Sequence, residues 1–172
     1  MPETVITVVR GNITQRPVDA IVNAANSTLL GGGGVDGAIH RAAGPELLAE
    51  CRTLGGARTG EAKTTGAHGI RQAKHIIHTV GPVYGMSGGR DAELLASCYT
   101  NSLQAAAELG CRSIAFPSIS TGAFGYPVHE ASRIALRAIR DYVTANPGSF
   151  DFVELVTFSE SDHKTYTRAY RE

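Results

Sequence analysis

An unbroken run of four glycines, from Gly31 to Gly34, constrains this chain more than any other feature of its sequence. Four consecutive glycines lose more backbone entropy on folding than any other four residues, so they mark a place where a ligand or another chain approaches the backbone. The run follows the apolar segment 20–22 and leads into the helix-like segment 38–43. Such a turn is an anion site, because free N–H groups and the positive end of a helix dipole face the ligand.

Three kinds of glycine-rich segment have to be compared at this position. Residues 32–37 match the dinucleotide fingerprint G-x-G-x-x-G, but residues 51–60 hold three glycines and no clear second strand, which disfavours a Rossmann site. A P-loop is excluded, since no glycine is followed by Lys-Ser or Lys-Thr at the required spacing. A flexible linker suits a run flanked by glycine and serine, whereas this one is flanked by apolar segments.

A second turn of small residues, 118–127, follows the apolar run 113–116 and precedes a helix whose first turn can accept Pro127. Neither turn contains lysine or arginine. An anion would therefore be held mainly by backbone N–H groups and helix dipoles, each helix end contributing about 0.3–1 kcal/mol per charge. Two such loops predict a diphosphate that bridges them.

Charge and composition exclude several classes of function. The 16 basic residues balance the 16 acidic ones, which argues against a broad nucleic-acid-binding surface. The six histidines lack metal-ligand spacing, so we expect no metal site, and Cys51, Cys98 and Cys111 form no C-x-x-C pair. Cys98 is expected to be a buried free thiol. No signal peptide or stretch of about 18 apolar residues is present, so we expect a cytoplasmic protein without a membrane segment.

The coarse pattern is an alternation of strands and helices. Apolar or β-branched runs predict strands, and apolar residues at i, i+3, i+4 and i+7 within 95–106 and 135–142 predict helices. This alternation predicts an α/β sandwich with a largely parallel sheet, whose ligands bind beyond the carboxyl ends of the strands. A length of 172 residues fits one domain, 1–172. The predicted strands are 4–9, 20–23, 63–65, 75–80, 113–116 and 152–158.

The chain resembles the macrodomain family, specifically the MacroD type, in five motifs that occur in order. They are Asn23-Ala-Ala-Asn26, the segment from Gly32 to Pro45, Thr59-Gly-Glu-Ala62, His78-Thr-Val-Gly-Pro82 and the segment from Pro117 to Pro127. The resemblance runs from Val5 to Tyr170, nearly the whole chain. It implies an α/β fold of the macrodomain kind: a three-layer α/β/α sandwich with a mixed, largely parallel central sheet.

The resemblance implies that the ligand is ADP-ribose, free or attached to a protein. Its adenine would lie near Asn12 and Ile13, where the family usually carries an aspartate that accepts a hydrogen bond from the adenine amine. The Asn12 amide oxygen can still accept that bond, but it is uncharged, so we expect weaker selectivity for adenine. Phe158 would stack on the adenine. The alternatives are that Asn12 is a simple turn residue and that Phe158 is a core aromatic.

The diphosphate would lie across the two turns, with the distal ribose beside them. Asn26 is expected to contact ribose hydroxyls, with a turn-forming role as the alternative, and Phe124 is expected to pack against the ribose. The resemblance adds the remaining ligand-contacting positions, which are Asn23, Gly32, Gly33, Gly34, Val35, Ser118, Ser120, Thr121, Gly122, Ala123 and Gly125.

By the same resemblance the catalytic residues are Asp36, Asn26 and His40. Asp36 is either a helix N-cap or the group that orients a ribose hydroxyl or the attacking water. The helix dipole would lower its pKa and a nearby diphosphate would raise it, and the sequence leaves that balance open. His40, four residues further on, either holds the Asp36 carboxylate or packs beside it. His78 is expected to be structural.

The activity implied by the MacroD resemblance is hydrolysis of the ester that links ADP-ribose to aspartate or glutamate side chains of proteins. O-acetyl-ADP-ribose is a similar ester and the expected second substrate. The scheme requires no cofactor and no metal, and we expect a monomer whose partners are ADP-ribose and mono-ADP-ribosylated proteins. Two alternatives remain open: a module that binds ADP-ribose without turnover, and a phosphatase for ADP-ribose 1″-phosphate. Asp36 favours turnover, since binding alone needs the glycine loop but not this carboxylate.

Overall fold

A computed structural model of the chain describes residues 3–172. In that range, six β-strands and five α-helices alternate along most of the chain, with a short 3₁₀ turn at Ile13–Gln15. The strands are β1 (Val5–Arg10), β2 (Ala20–Ala25), β3 (Ala62–Gly66), β4 (His75–Val80), β5 (Ser113–Phe116) and β6 (Phe152–Thr157). The helices are α1 (Gly34–Ala43), α2 (Pro45–Arg52), α3 (Asp91–Glu108), α4 (Val128–Ala145) and α5 (Glu160–Arg171).

The strands form one sheet in the order β1-β6-β5-β2-β4-β3. Every neighbouring pair is parallel except β3 and β4, which are antiparallel. The mixed, largely parallel sheet expected from the sequence is therefore confirmed. In such a sheet the carboxyl ends of the parallel strands lie along one edge. That edge carries the glycine run after β2 and the second small-residue turn after β5.

Helices cover both faces of the sheet, which confirms the three-layer sandwich. Helices α3, α4 and α5 pack on one face, and α1 and α2 pack on the other. Successive strand residues point to opposite faces, so Val22 and Ile77 lie in the first core while Ile21 and Ile76 lie in the second.

The same alternation decides where the polar residues of β2 and β4 point. Asn23 and His78 lie two residues beyond Ile21 and Ile76, so they continue the face that α1 and α2 cover. They are also direct neighbours in the register of β2 and β4. Two polar side chains are therefore buried side by side between the sheet and α1.

Several boundaries differ from the sequence-based expectations. Helix α1 begins at Gly34, inside the glycine run, four residues earlier than the apolar pattern indicated. Helices α2 and α5 were not predicted: α2 is only eight residues long, and α5 is amphipathic but poor in apolar residues. Cys51, Cys98 and Cys111 are all free and buried, as expected for Cys98. None of the helices in residues 3–172 has the length and apolar character needed to span a membrane.

Candidate functional site

The carboxyl ends of four neighbouring strands carry almost all of the predicted site residues. Asn12 follows β1, Phe158 follows β6, loop 117–127 follows β5, and segment 26–33 follows β2. These strands are adjacent in the order β1-β6-β5-β2, so the four segments lie side by side along the sheet edge. Residues far apart in sequence therefore form one continuous edge.

The glycine run is an open loop that ends in the first turn of α1. Gly33 is the N-cap of that helix, and it supplies no side chain to occupy the helix end. Gly31 and Gly34 have φ of +95° and +57°, a region that only glycine adopts readily. Within residues 3–172, no backbone amide from 31 to 36 donates a hydrogen bond to another residue. These amides and the helix dipole are therefore available to an anion.

Asp36 is the third residue of α1, and its side chain is only 6% exposed. Its Oδ1 atom accepts a hydrogen bond of 2.8 Å from Nδ2 of Asn23. The N-cap alternative is therefore wrong, since Gly33 is the cap and the Asp36 carboxylate binds Asn23 instead. Burial raises the pKa of Asp36, and the Asn23 hydrogen bond and the nearby His40 charge offset this only in part. Desolvation is thus the largest influence on the pKa of this carboxyl group.

His40 lies beside Asp36, one helical turn further along α1. Its Nε2 atom is 3.4 Å from Oδ1 of Asp36, but it has no hydrogen-bond partner among the described residues. The imidazole also lies under the glycine loop, because a Cβ added at Gly31 would be 3.8 Å from the ring. His40 therefore both neighbours the carboxylate and packs against the loop, so the two predicted roles are compatible.

Asn26 shapes the loop and also faces Asp36. Its Nδ2 donates to the Gly31 carbonyl at 3.0 Å, and its Oδ1 accepts from the amide and hydroxyl of Thr28 at 3.1 and 2.6 Å. These bonds are the turn-forming role weighed from the sequence. A Cβ added at Gly32 would be 3.4 Å from Nδ2 of Asn26 and 3.2 Å from Oδ2 of Asp36. The two side chains thus converge on one point above Gly32, where an added side chain would have to displace them.

The second loop is held by side chains from distant elements. The Ser118 hydroxyl bonds to Oγ1 of Thr121 at 2.6 Å and to the Tyr166 hydroxyl of α5 at 2.7 Å. The Phe124 carbonyl accepts a hydrogen bond of 2.8 Å from the amide of Tyr84. Gly122 and Ala123 are exposed, and amides 121–124 donate no hydrogen bond to a described residue. The backbone of this loop, rather than the Ser118 hydroxyl, is thus free for a ligand.

Ser120 in this loop packs tightly against the end of β4. Ser120 has φ of +66°, and its Oγ atom is buried. A Cβ added at Gly81 would be only 2.1 Å from this Oγ atom. Ile119 would be 2.7 Å from the same Cβ. We expect Gly81→Ala to reduce the free energy of unfolding by about 1–3 kcal/mol, the usual range for overpacking. Urea unfolding checks this, with Gly11→Ala as the control, since a Cβ there meets nothing within 4 Å. Equal stability of the two variants would contradict the packing argument.

The far end of the edge holds the two residues expected to contact adenine. Oδ1 of Asn12 accepts hydrogen bonds from the amide and hydroxyl of Thr14, at 3.0 and 2.7 Å, so Asn12 caps the 3₁₀ turn. Ile13 is buried, with 5% of its surface exposed. Phe158 is 85% exposed, so its interpretation as a core aromatic is wrong. The amide of Gly11 donates to the Thr157 carbonyl at 2.9 Å, which keeps Phe158 beside the Asn12 segment.

Sequence reasoning missed the contact between Asn23 and His78. Nδ2 of Asn23 is 3.1 Å from Nδ1 of His78, and Nε2 of His78 is 2.9 Å from Oγ1 of Thr65. Both Asn23 and His78 are fully buried. His78 was expected only to be structural, and strand alternation alone could not show that it faces the same side as Asn23. Knowledge that β2 pairs with β4, with Asn23 opposite His78, would have predicted this contact.

Burial lowers the pKa of His78 from 6.5 to about 4. The unfolded chain therefore binds one more proton than the folded protein between these values, so this residue destabilises the fold as the pH falls from 6.5 to 4. The expected contribution is about 3 kcal/mol. Asp36, with a raised pKa, acts in the opposite direction, since its contribution is lost as the pH rises.

Urea unfolding at pH 7, 6 and 5 tests this effect, with His78→Gln as the control because glutamine does not titrate. The variant should lose less stability than the unchanged protein across this interval. Equal slopes for the two proteins would show that His78 is not neutral in the folded state.

The fold and its two loops define an α/β sandwich whose carboxyl edge carries backbone amides that are free to bind an anion. The family model for the Macro domain matches residues 22–135, and the chain belongs to that family. It is 54% identical to a macro domain-containing protein of Chlorobaculum tepidum, over 98% of both chains. It is 50% identical to the ADP-ribose glycohydrolase MACROD2 of Homo sapiens, over 97% of this chain but only 39% of that protein. The predicted family is confirmed, and the second relative supports the MacroD type.

Two solved structures have the same fold and carry nucleotide ligands. An Oceanobacillus iheyensis macrodomain variant with ADPR superimposes with a TM-score of 0.91 at 44% identity, covering 96% of this chain and 90% of that one. A Trypanosoma brucei macrodomain in complex with ADP-ribose superimposes with a TM-score of 0.90 at 45% identity, covering 96% and 68%. The two macrodomains therefore resemble this chain in amino-acid sequence as well as in fold.

Proposed function

We propose that this protein binds ADP-ribose along the carboxyl edge of its sheet and hydrolyses the ester that joins ADP-ribose to acidic side chains of proteins. The observation that carries the proposal is the convergence of Asn26 and the buried Asp36 above Gly32, beside amides that are free to hold an anion. The Trypanosoma brucei macrodomain in complex with ADP-ribose and the ADP-ribose glycohydrolase MACROD2 support it.

The order of groups along the edge matches the order of groups in ADP-ribose. The exposed Phe158 and the Asn12 turn follow β6 and β1, at the end where adenine would stack. The loops after β5 and β2 come next and would hold the diphosphate with their amides. Asn26 and Asp36 follow at the β2 end, where the distal ribose would lie. One elongated ligand can therefore occupy all four segments.

In the proposed reaction, water adds to the anomeric carbon of the distal ribose. The bond from that carbon to the ester oxygen breaks, and the protein side chain leaves as a carboxylate. Asp36 orients the water or a ribose hydroxyl, and a phosphate oxygen of the substrate helps to accept the proton that the water loses. Burial of Asp36 strengthens this orientation, since electrostatic interactions are stronger where water is excluded.

O-acetyl-ADP-ribose is a second substrate under the same proposal. It carries an acyl ester on the same ribose, so the groups that hold ADP-ribose would hold it unchanged. The glycine loop provides no side chain that would distinguish a protein-linked ester from an acetyl ester. For the acetyl ester, the oriented water would add to the acetyl carbonyl carbon, the bond from that carbon to the ribose oxygen would break, and acetate and ADP-ribose would leave. We expect one site to hydrolyse both esters.

Calorimetry and a turnover assay together test the proposal. ADP-ribose should bind more tightly than AMP or ribose 5-phosphate, because each fragment occupies only part of the edge. Incubation with a protein that is mono-ADP-ribosylated on glutamate should release free ADP-ribose. Tight binding of the labelled protein without release would show a binding module instead, and faster release of phosphate from ADP-ribose 1″-phosphate would show a phosphatase.

Phe158→Ala should weaken the binding of both ADP-ribose and AMP. Stacking of a base on an aromatic ring contributes about 1–3 kcal/mol, so we expect the affinity to fall by about 5- to 150-fold. Since Phe158 is 85% exposed, its removal should leave the unfolding midpoint unchanged. Titration calorimetry measures both ligands, and ribose 5-phosphate is the control because it lacks the base. Equal weakening for ribose 5-phosphate would contradict the stacking role.

A further inference from the structure

Behind Asp36 lies a chain of buried polar side chains that the proposed reaction does not itself use. Nδ2 of Asn23 is 2.8 Å from Oδ1 of Asp36 and 3.1 Å from Nδ1 of His78. Nε2 of His78 is 2.9 Å from Oγ1 of Thr65, and that hydroxyl donates to the Gly66 carbonyl at 3.1 Å. Asn23, His78 and Thr65 are at most 2% exposed, so water cannot replace a missing partner cheaply.

The proton positions in this chain follow from its two ends. The Gly66 carbonyl can only accept, so the Thr65 hydroxyl donates to it and must accept from Nε2 of His78. At the other end the Asp36 carboxylate accepts one proton of the Asn23 amide group. The second amide proton then points to Nδ1 of His78, which must accept it. These contacts would all be satisfied by a neutral His78 with its proton on Nε2.

The reversed orientation of the Asn23 amide is unfavourable. It would place Oδ1 of Asn23 beside Oδ1 of Asp36, which opposes two acceptors, and would leave two buried donors to find partners. In the orientation that the structure shows, the Asn23 amide N–H groups face Asp36 and His78. Of the polar atoms of the Asn23 side chain, Oδ1 alone lacks a partner among the described residues. The orientation of the amide thus depends on an acceptor at Nδ1 of His78.

The surroundings of His78 keep its ring neutral. Besides Asp36, the charged and titratable groups around it are His40 on α1, Glu50 and Cys51 on α2, and Lys63, its register partner on β3. Desolvation is the largest influence on the pKa of His78 and lowers it, and the His40 charge lowers it further. The Glu50 charge raises this pKa but offsets only part of the lowering. Burial also raises the pKa of the Cys51 thiol to about 11, so that group adds no charge at neutral pH.

We propose that His78 is a positioning residue: as the neutral Nε2–H tautomer, anchored by Thr65, it fixes the Asn23 amide and thereby the orientation of the Asp36 carboxylate. The catalytic part of this inference rests on the proposed hydrolase function. The structural part does not, because the tautomer and the amide orientation depend only on contacts within the protein and can be measured without substrate. Protonation of His78 would turn Nδ1 into a donor that faces the Asn23 N–H group. The Asn23 amide would then have to turn its oxygen toward Nδ1, and its hydrogen bond to Asp36 would be lost.

Long-range ¹H–¹⁵N NMR correlation of the free protein tests the structural part. We expect a His78 ring with a protonated Nε2 and an unprotonated Nδ1 from pH 8 down to pH 5. Thr65→Val removes the acceptor of the Nε2 proton at nearly constant size and should yield a mixture of tautomers. A His78 ring that is protonated on Nδ1, or is cationic at pH 7, would overturn the inference whatever the protein catalyses.

Kinetics of ester hydrolysis test the catalytic part. His78→Leu removes the Nδ1 acceptor, and we expect kcat to fall by about 100-fold, as for a misplaced reacting group, while ADP-ribose affinity stays within threefold. His78→Gln offers Oε1 to Asn23 and its amide N–H to Thr65, so it should recover at least a tenth of the original kcat.

The kinetic test distinguishes a positioning role of His78 from a role in packing alone. Equal losses in His78→Leu and His78→Gln, or an affinity loss as large as the kcat loss, would show that His78 only packs. If His78→Leu does not fold, Thr65→Val replaces it, with an expected loss of kcat of about 10-fold. If the unchanged protein hydrolyses no ester, the proposed function fails, and the NMR result alone decides the positioning role.

Discussion

Asp36→Asn should reduce the turnover of an ADP-ribosyl ester by about 10³-fold and leave the affinity for ADP-ribose within threefold. Asparagine keeps the size of the side chain, and its Oδ1 can still accept the 2.8 Å hydrogen bond from Asn23. What it removes is the negative charge that is proposed to orient the water or a ribose hydroxyl. Because the amides of the glycine loop are proposed to hold the diphosphate, binding should not depend on this carboxylate. Single-turnover hydrolysis and titration calorimetry measure the two effects separately.

Glu46→Gln is the matched control for this prediction. Glu46 is an exposed acidic residue in the first turn of α2, so its neutralisation changes the net charge equally without touching the site. It should alter neither turnover nor affinity. Unchanged turnover in Asp36→Asn would remove the catalytic role of the carboxylate, and a joint loss of binding and stability would assign it to folding. A pH–rate profile without a limb that depends on Asp36 would favour orientation over base catalysis.

Gly32→Val should reduce turnover by about 100-fold through steric displacement of the two converging side chains. A Cβ at this position already lies 3.2 Å from Oδ2 of Asp36 and 3.4 Å from Nδ2 of Asn26. The two methyl groups of valine would extend into the space between them, where the distal ribose is proposed to lie. Both the carboxylate and the amide would have to move, and valine would occupy the proposed position of the ribose. Affinity for ADP-ribose should therefore fall together with turnover, unlike in Asp36→Asn.

Gly33→Ala is the control for the glycine loop. Its φ of −92° suits any residue, and its Cβ would meet no described atom within 4 Å. Gly32→Ala should fall between the control and Gly32→Val, because contacts of 3.2 and 3.4 Å require shifts of only a few tenths of an ångström. The three variants thus form a graded series. If Gly32→Val hydrolysed the ester as fast as Gly33→Ala, the distal ribose would not lie above Gly32.

The fold could be predicted from the sequence because its signals are local and repeated. Each apolar run of β2, β4 and β5 coincides with an observed strand, and the alternation with helices implied a parallel sheet. Helices α2 and α5 escaped prediction, since α2 is short and α5 has few apolar residues, so packing contributes much of their stability. The conformation of the glycine run was also open, because glycine permits many backbone conformations.

The sequence by itself determined the family and the local part of the site. Asn26, the glycine run, Asp36 and His40 lie within one short segment, so a loop and one helical turn bring them together. Only the tertiary structure decided that Phe158 is exposed, that burial raises the pKa of Asp36, and that His78 reaches Asn23. Exposure, desolvation and hydrogen bonds between strands depend on atoms contributed by distant parts of the chain. Those atoms become neighbours only when β2 pairs with β4 and α1 covers them.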